Sequence, residues 1–142
     1  MSARRIPLLI ACLGLSALAT PALAGATVTP VQASPLPNAP GLVMSAERIS
    51  YAPGEASPAH WHDGFLIAYV LRGRIESQVE GEPLRTYGVG DSWTEKPGAH
   101  HVICRNASAT EPAEFLVVGV APPHAAAAKP EGSTGRRRTE EK

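Results

Sequence analysis

From residue 43 to residue 121 apolar positions recur with the two-residue period of β-strands, in short runs punctuated by glycine and proline. Val43 to Ser50 predicts a first strand, closed by Ala52, Pro53 and Gly54. Ala59 to His62 predicts a second, ending at the turn Asp63-Gly64. Phe65 to Leu71 is an apolar run rich in aromatic and branched residues, the composition of a buried strand. Gly73 marks a turn or bulge. Arg74 to Glu80 then alternates, with Ile75, Ser77 and Val79 on one face. Leu84 to Tyr87, Ser92 to Glu95, His100 to Cys104 and Ala113 to Ala121 predict further strands. No stretch has a helical period of useful length, and no internal repeat is evident. The pattern predicts an all-β fold, an antiparallel barrel or double-sheet jelly roll.

The two ends read differently. Arg4 and Arg5 precede an apolar run from Ile6 to Ala19, followed by Thr20, Pro21, Ala22, Leu23 and Ala24. Charged, apolar and small residues in that order predict a secretory signal peptide over residues 1–24, and hence a periplasmic or secreted protein. The run is shorter than the ~20 apolar residues of a spanning helix, so no membrane segment is expected after cleavage. The arginine pair lacks the flanking residues of a twin-arginine signal, which favours Sec export. Leu9 to Cys12 loosely resembles a lipoprotein acylation box, a lesser alternative. Residues 25–41, rich in Pro, Ala, Thr and Gly, predict an extended leader; 42–121 form one domain. Residues 122–142 lack apolar periodicity and predict a disordered tail carrying His124 and the triplet Arg136 to Arg138. A solvated face explains that triplet better than an anion site.

Signal cleavage leaves Cys104 as the only cysteine, so no internal disulfide is expected, and the thiol reads as buried and inert. Thirteen basic and thirteen acidic side chains cancel, giving no electrostatic case for nucleic acid or an acidic membrane surface.

The chemistry lies in the histidines. His60 and His62 are two apart, so an extended segment turns both imidazoles to one face, where they can share a metal ion. Trp61 between them faces the other way. A further pair, His100 and His101, follows about forty residues on, and a regular strand turns only one of them inward. Imidazole suits zinc, iron, copper or nickel. A polar pocket without metal is the competing explanation. Glu95 and Glu76 are weak candidates for a carboxylate ligand or general base, and His100 for a proton shuttle at the mouth. Phe65, Leu66, Ile67, Tyr69 and Val70 are expected to give an apolar wall, as small-molecule sites have. In a regular strand Cys104, three residues after His101, shares no face with it. No nucleophilic serine motif, phosphate-cradling loop or calcium loop is present.

These residues fall in two glycine-framed blocks that resemble the paired motifs of the cupin superfamily, G-x5-H-x-H-x3-4-E-x6-G and G-x5-P-x-G-x2-H-x3-N. Gly54, His60, His62 and Gly73 match the first; Gly90, Gly98 and His101 match the second. Leu66, or Ile67 at the longer spacing, stands at the glutamate position. Lys96 stands at the proline position with Pro97 one later, and Arg105 at the asparagine position with Asn106 just after. The resemblance covers residues 40 to 121 and implies a double-stranded β-helix. It selects His101, with His60 and His62, as ligands of a divalent transition metal (Fe, Mn, Cu, Ni or Zn). A three-histidine site without the carboxylate is one charge more positive, which favours an anionic or chelating ligand. The superfamily implies a homodimer and a small-molecule substrate or ligand. Three functions stay open: a dioxygenase-like enzyme, a non-catalytic binding module, and a barrel with vestigial histidines.

Overall fold

A computed structural model describes residues 25–123, 125 and 128–130. The proposed signal segment, Cys12, His124 and the arginine triplet lie outside the described residues. Every regular element described is a strand: β1 (Thr27–Pro35), β2 (Val43–Tyr51), β3 (Ala56–Ser57), β4 (His60–Trp61), β5 (Phe65–Arg72), β6 (Arg74–Val79), β7 (Arg85–Gly88), β8 (Ser92–Glu95), β9 (His100–Asn106), β10 (Ala113–Ala121) and β11 (Lys129–Pro130). They pair antiparallel in two sheets, ordered β1-β2-β10-β5-β8 and β11-β4-β9-β6-β7, with β3 also on β9. This is a double-stranded β-helix whose core and cavity lie between the sheets.

The apolar run of β5 is amphipathic only in three dimensions. Leu66, Ala68 and Val70 are buried, while Phe65, Ile67 and Tyr69 are 46%, 41% and 44% exposed. The expectation that all of Phe65 to Val70 wall the pocket is therefore corrected. Both faces of this strand are apolar, so composition cannot choose between them; pairing with β10 and β8 does. Inside, Tyr51, Trp93 and Phe115 pack with ring centroids 5.8 Å (Tyr51–Phe115) and 5.6 Å (Trp93–Phe115) apart. Val70 and Ile75 are fully enclosed.

Two segments read as leader and tail contribute strands. Residues 27–35 are extended as expected, but hydrogen-bonded to β2 at the edge of its sheet. An edge strand tolerates Pro30 and Pro35, because among the described residues one side of its ladder has no partner to lose. At the other end Lys129 and Pro130 pair with Trp61 and His60, and Lys129 Nζ lies 2.6 Å from Asp63 Oδ2.

Strand β9 carries the irregularity that matters for the site. Ser77 pairs with Cys104 and Gln78 with Ile103, but Val79 pairs with His101, leaving Val102 as the extra residue of a bulge. The neighbouring ladder is interrupted nearby, at Pro58 and Ala59 between β3 and β4. Asn106 is buried; its Nδ2 donates to the carbonyls of Ala52 and Glu111, and its Oδ1 accepts from the Ser108 amide.

Candidate metal centre

His60 comes from β4 and faces its ladder partner His101 on β9. His62 lies just past the end of β4, where a turn holds it. Ala99 N–H donates to the Lys96 carbonyl, with Pro97 and Gly98 (φ 82°) as the central residues. Proline followed by a residue of positive φ is the type II pattern. From this turn Gly98 N–H donates to the His62 carbonyl at 2.7 Å, and His62 N–H donates to the Ala99 carbonyl at 3.0 Å. The second motif thus fixes a histidine of the first.

One ring nitrogen from each of His60, His62 and His101 lies within 4.8 Å of the others, so the three can hold a metal ion. A neighbouring carbonyl sets the tautomer of His60. His60 Nδ1 is 2.8 Å from the Pro58 carbonyl, which can only accept, so Nδ1 carries the proton. In the neutral ring Nε2 is then a lone pair, and it lies 3.1 Å from His62 Nε2. His101 Nε2 is 2.8 Å from Ser77 Oγ, and its Nδ1 is 3.1 Å from Glu95 Oε1. Outer partners of this kind fix the orientation of ligating imidazoles.

Glu95 reaches the same centre from β8. Its Oε1 accepts from Trp93 Nε1–H at 3.0 Å. Its Oε2 is buried, 3.3 Å from His62 Nε2, and has no hydrogen-bond partner among the described residues. A carboxyl group thus stands beside the three imidazoles, reached from Glu95 on β8 and not from the motif position at Leu66.

Burial dominates the electrostatics. It pushes His101 down to about 3 and lowers His60, and in both the neighbouring imidazoles act in the same direction. Burial raises Glu95, opposed by its bond from Trp93 and by His60. Neutral imidazoles offer lone pairs, and an orphaned carboxylate oxygen beside them is an arrangement that accommodates a cation. The donor set fits a divalent transition metal.

The centre opens on a cavity of about 320 Å³ lined by Ile49, Leu66, Ala68, Trp93, Phe115 and Val117, together with the three histidines and Glu95. The remaining sequence candidates lie elsewhere. His100 is on the outer face of β9, as strand alternation requires, stacked on Trp61 (4.1 Å, 4°) and 3.3 Å from Glu80 Oε2 through Nδ1. Glu76 accepts from Arg105 Nε at 2.6 Å, away from the cavity. Cys104 lines the cavity with His101, contrary to the regular-strand expectation, because the bulge at Val102 returns it to the inner face. Burial pushes its thiol up to about 12, so it is no nucleophile. Ser77 and Pro58, which orient two imidazoles, were not legible as site residues. The one signal was Ser77, a polar residue on the face that Ile75 marks as buried.

Residues 47–119 match the cupin domain family, and the chain belongs to it. Comparison with curated proteins gives no match. Among solved structures, a double-stranded β-helix protein from Klebsiella pneumoniae is 24% identical, with a TM-score of 0.57 over 78% of this chain and 89% of that one. The DMSP lyase DddQ of Ruegeria pomeroyi is 26% identical (TM-score 0.53) over 58% of this chain. An oxalate oxidase is 24% identical (TM-score 0.54) over 71% of it. The chain spans 41% of the lyase and 52% of the oxidase.

Proposed function

We propose that this cupin is an exported, metal-dependent enzyme of the dioxygenase type. In this reading one divalent transition ion is held by His60, His62 and His101. The single observation carrying it is the convergence of three imidazoles within 4.8 Å of one another on an apolar cavity. The tautomer fixed by Pro58 and the contact of His101 with Ser77 support it further. Bound there, iron or copper supplies redox chemistry toward dioxygen, whereas zinc supplies a Lewis acid. The cavity walls fit a small organic molecule with an apolar body, and none of the described lining residues is Lys or Arg. An acidic head group on the substrate would therefore rely on the ion. The lyase in Ruegeria pomeroyi is an enzyme of related fold, which supports catalysis; its substrate is not carried over to a chain spanning 41% of its length. Export rests on the residue order of positions 1–24. A homodimer is part of the same proposal, supported by the apolar outer face of β5, where Phe65, Ile67, Tyr69 and Leu71 are exposed.

The test is metal content per chain, measured by mass spectrometry on protein purified without chelators or a histidine tag. One equivalent is expected, and none in a variant carrying His60→Ala and His101→Ala. Unchanged metal in that variant sinks the site. Metal retained without dioxygen uptake, across a screen of small phenols and carboxylic acids, makes the protein a binding module instead.

A further inference from the structure

We propose that Glu95 is a fourth protein ligand of this centre, a carboxylate supplied by β8 in place of the one the first motif lacks at Leu66. The proposal rests on the three-histidine reading above. Leu66 and Glu95 are direct ladder partners of β5 and β8. Paired residues of neighbouring strands project to the same face, about 5 Å apart. A carboxylate moved from one to the other therefore still faces the cavity, and both positions line it.

The distances match a shared ion. Two donor atoms each about 2.1 Å from one ion stand about 3.0 Å apart at a right angle and about 3.4 Å at the tetrahedral angle. His60 Nε2 to His62 Nε2 is 3.1 Å, His62 Nε2 to Glu95 Oε2 is 3.3 Å, and Glu95 Oε1 to His101 Nδ1 is 3.1 Å. Every successive pair falls in that interval. Hydrogen bonding leaves one feature of the set unexplained: among the described residues Glu95 Oε2 is buried without a hydrogen-bond partner, beside the ring nitrogens of His60 and His62. A cation held by these atoms accounts for it. Trp93 Nε1–H, on Oε1, then holds the carboxylate in place.

The competing role is that of a positioning residue, in which Glu95 only orients His101. Titration of the full chain and Glu95→Gln with Co²⁺, followed by visible absorption, separates the two. The natural chain is expected to bind one Co²⁺. Glu95→Gln is expected to lose affinity by about 100-fold or more, with an altered ligand-field spectrum. Adding Leu66→Glu to that variant is expected to return most of the affinity. Unchanged affinity, or weakened affinity with an unchanged spectrum, overturns the proposal while leaving the three histidines intact. A natural chain that takes up no Co²⁺ removes the underlying metal reading as well. A crystal structure of the cobalt-loaded natural chain is independent of how the variants fold. A Glu95 oxygen within about 2.2 Å of the ion supports the proposal; a carboxylate that touches only imidazole overturns it.

Discussion

His101 enters the protein interior uncharged, and that state ties the metal-free fold to pH. Its folded pKa is near 3 against an ordinary 6.5, and burial lowers His60 in the same direction. Below 6.5 the unfolded chain takes up protons that the native state refuses, so stability is lost as pH falls from 6.5 toward 3. Glu95 works the other way: its raised folded pKa adds stability as pH falls through it, which offsets part of the histidine slope. Urea denaturation of metal-free protein is expected to show a lower midpoint at about pH 5 than at about pH 7.5, and a smaller difference in His101→Asn. An equal difference in that variant would place the acid sensitivity elsewhere. At this scale the spacing of His60 and His62 made their shared face legible, while the resemblance to the cupin motifs, not spacing, selected His101 over His100. It was not legible for Cys104, because one bulged residue reverses the alternation that a spacing argument relies on.

Among the elements, turns position the site as much as strands do. Gly98 lies at φ 82° in the turn that bonds His62 through both backbone groups, with open space where a Cβ would go. Gly98→Ala therefore incurs backbone strain alone, about 1–2 kcal/mol, and is expected to fold with loosened metal affinity. Gly73 differs: its φ is 71°, and a Cβ there would lie 2.7 Å from the Pro112 carbonyl and 2.9 Å from the Ala113 Cβ. Gly73→Ala is expected to lower stability by more than Gly98→Ala in side-by-side thermal melts; the reverse order would show that packing around Pro112 yields freely. Glycine and proline made these turns legible in the sequence. The pairing of residues 27–35 was not, since four prolines between positions 30 and 40 read as a leader unless an edge without an outer partner is available.

At the scale of the whole molecule, the outer face of β5 exposes Phe65, Ile67, Tyr69 and Leu71. Across from it on β10, Leu116 pairs with Tyr69 and Val118 with Ile67, extending the apolar surface over two strands. If the proposed dimer uses this face, light scattering is expected to give twice the chain mass. Ile67→Lys with Tyr69→Lys is expected to give a monomer with unchanged metal content. A double variant that stays dimeric moves the interface elsewhere.

The sequence by itself indicated the strands between residues 43 and 121, the turns between them and, through the cupin motifs, the three imidazoles, because these follow from local periodicity, backbone freedom at glycine and motif spacing. Tertiary structure alone decided which face of β5 is the core, where the bulge in β9 falls, and that Glu95 rather than Glu76 stands among the histidines. Each of those depends on strand register, and register is set by partners distant in the chain.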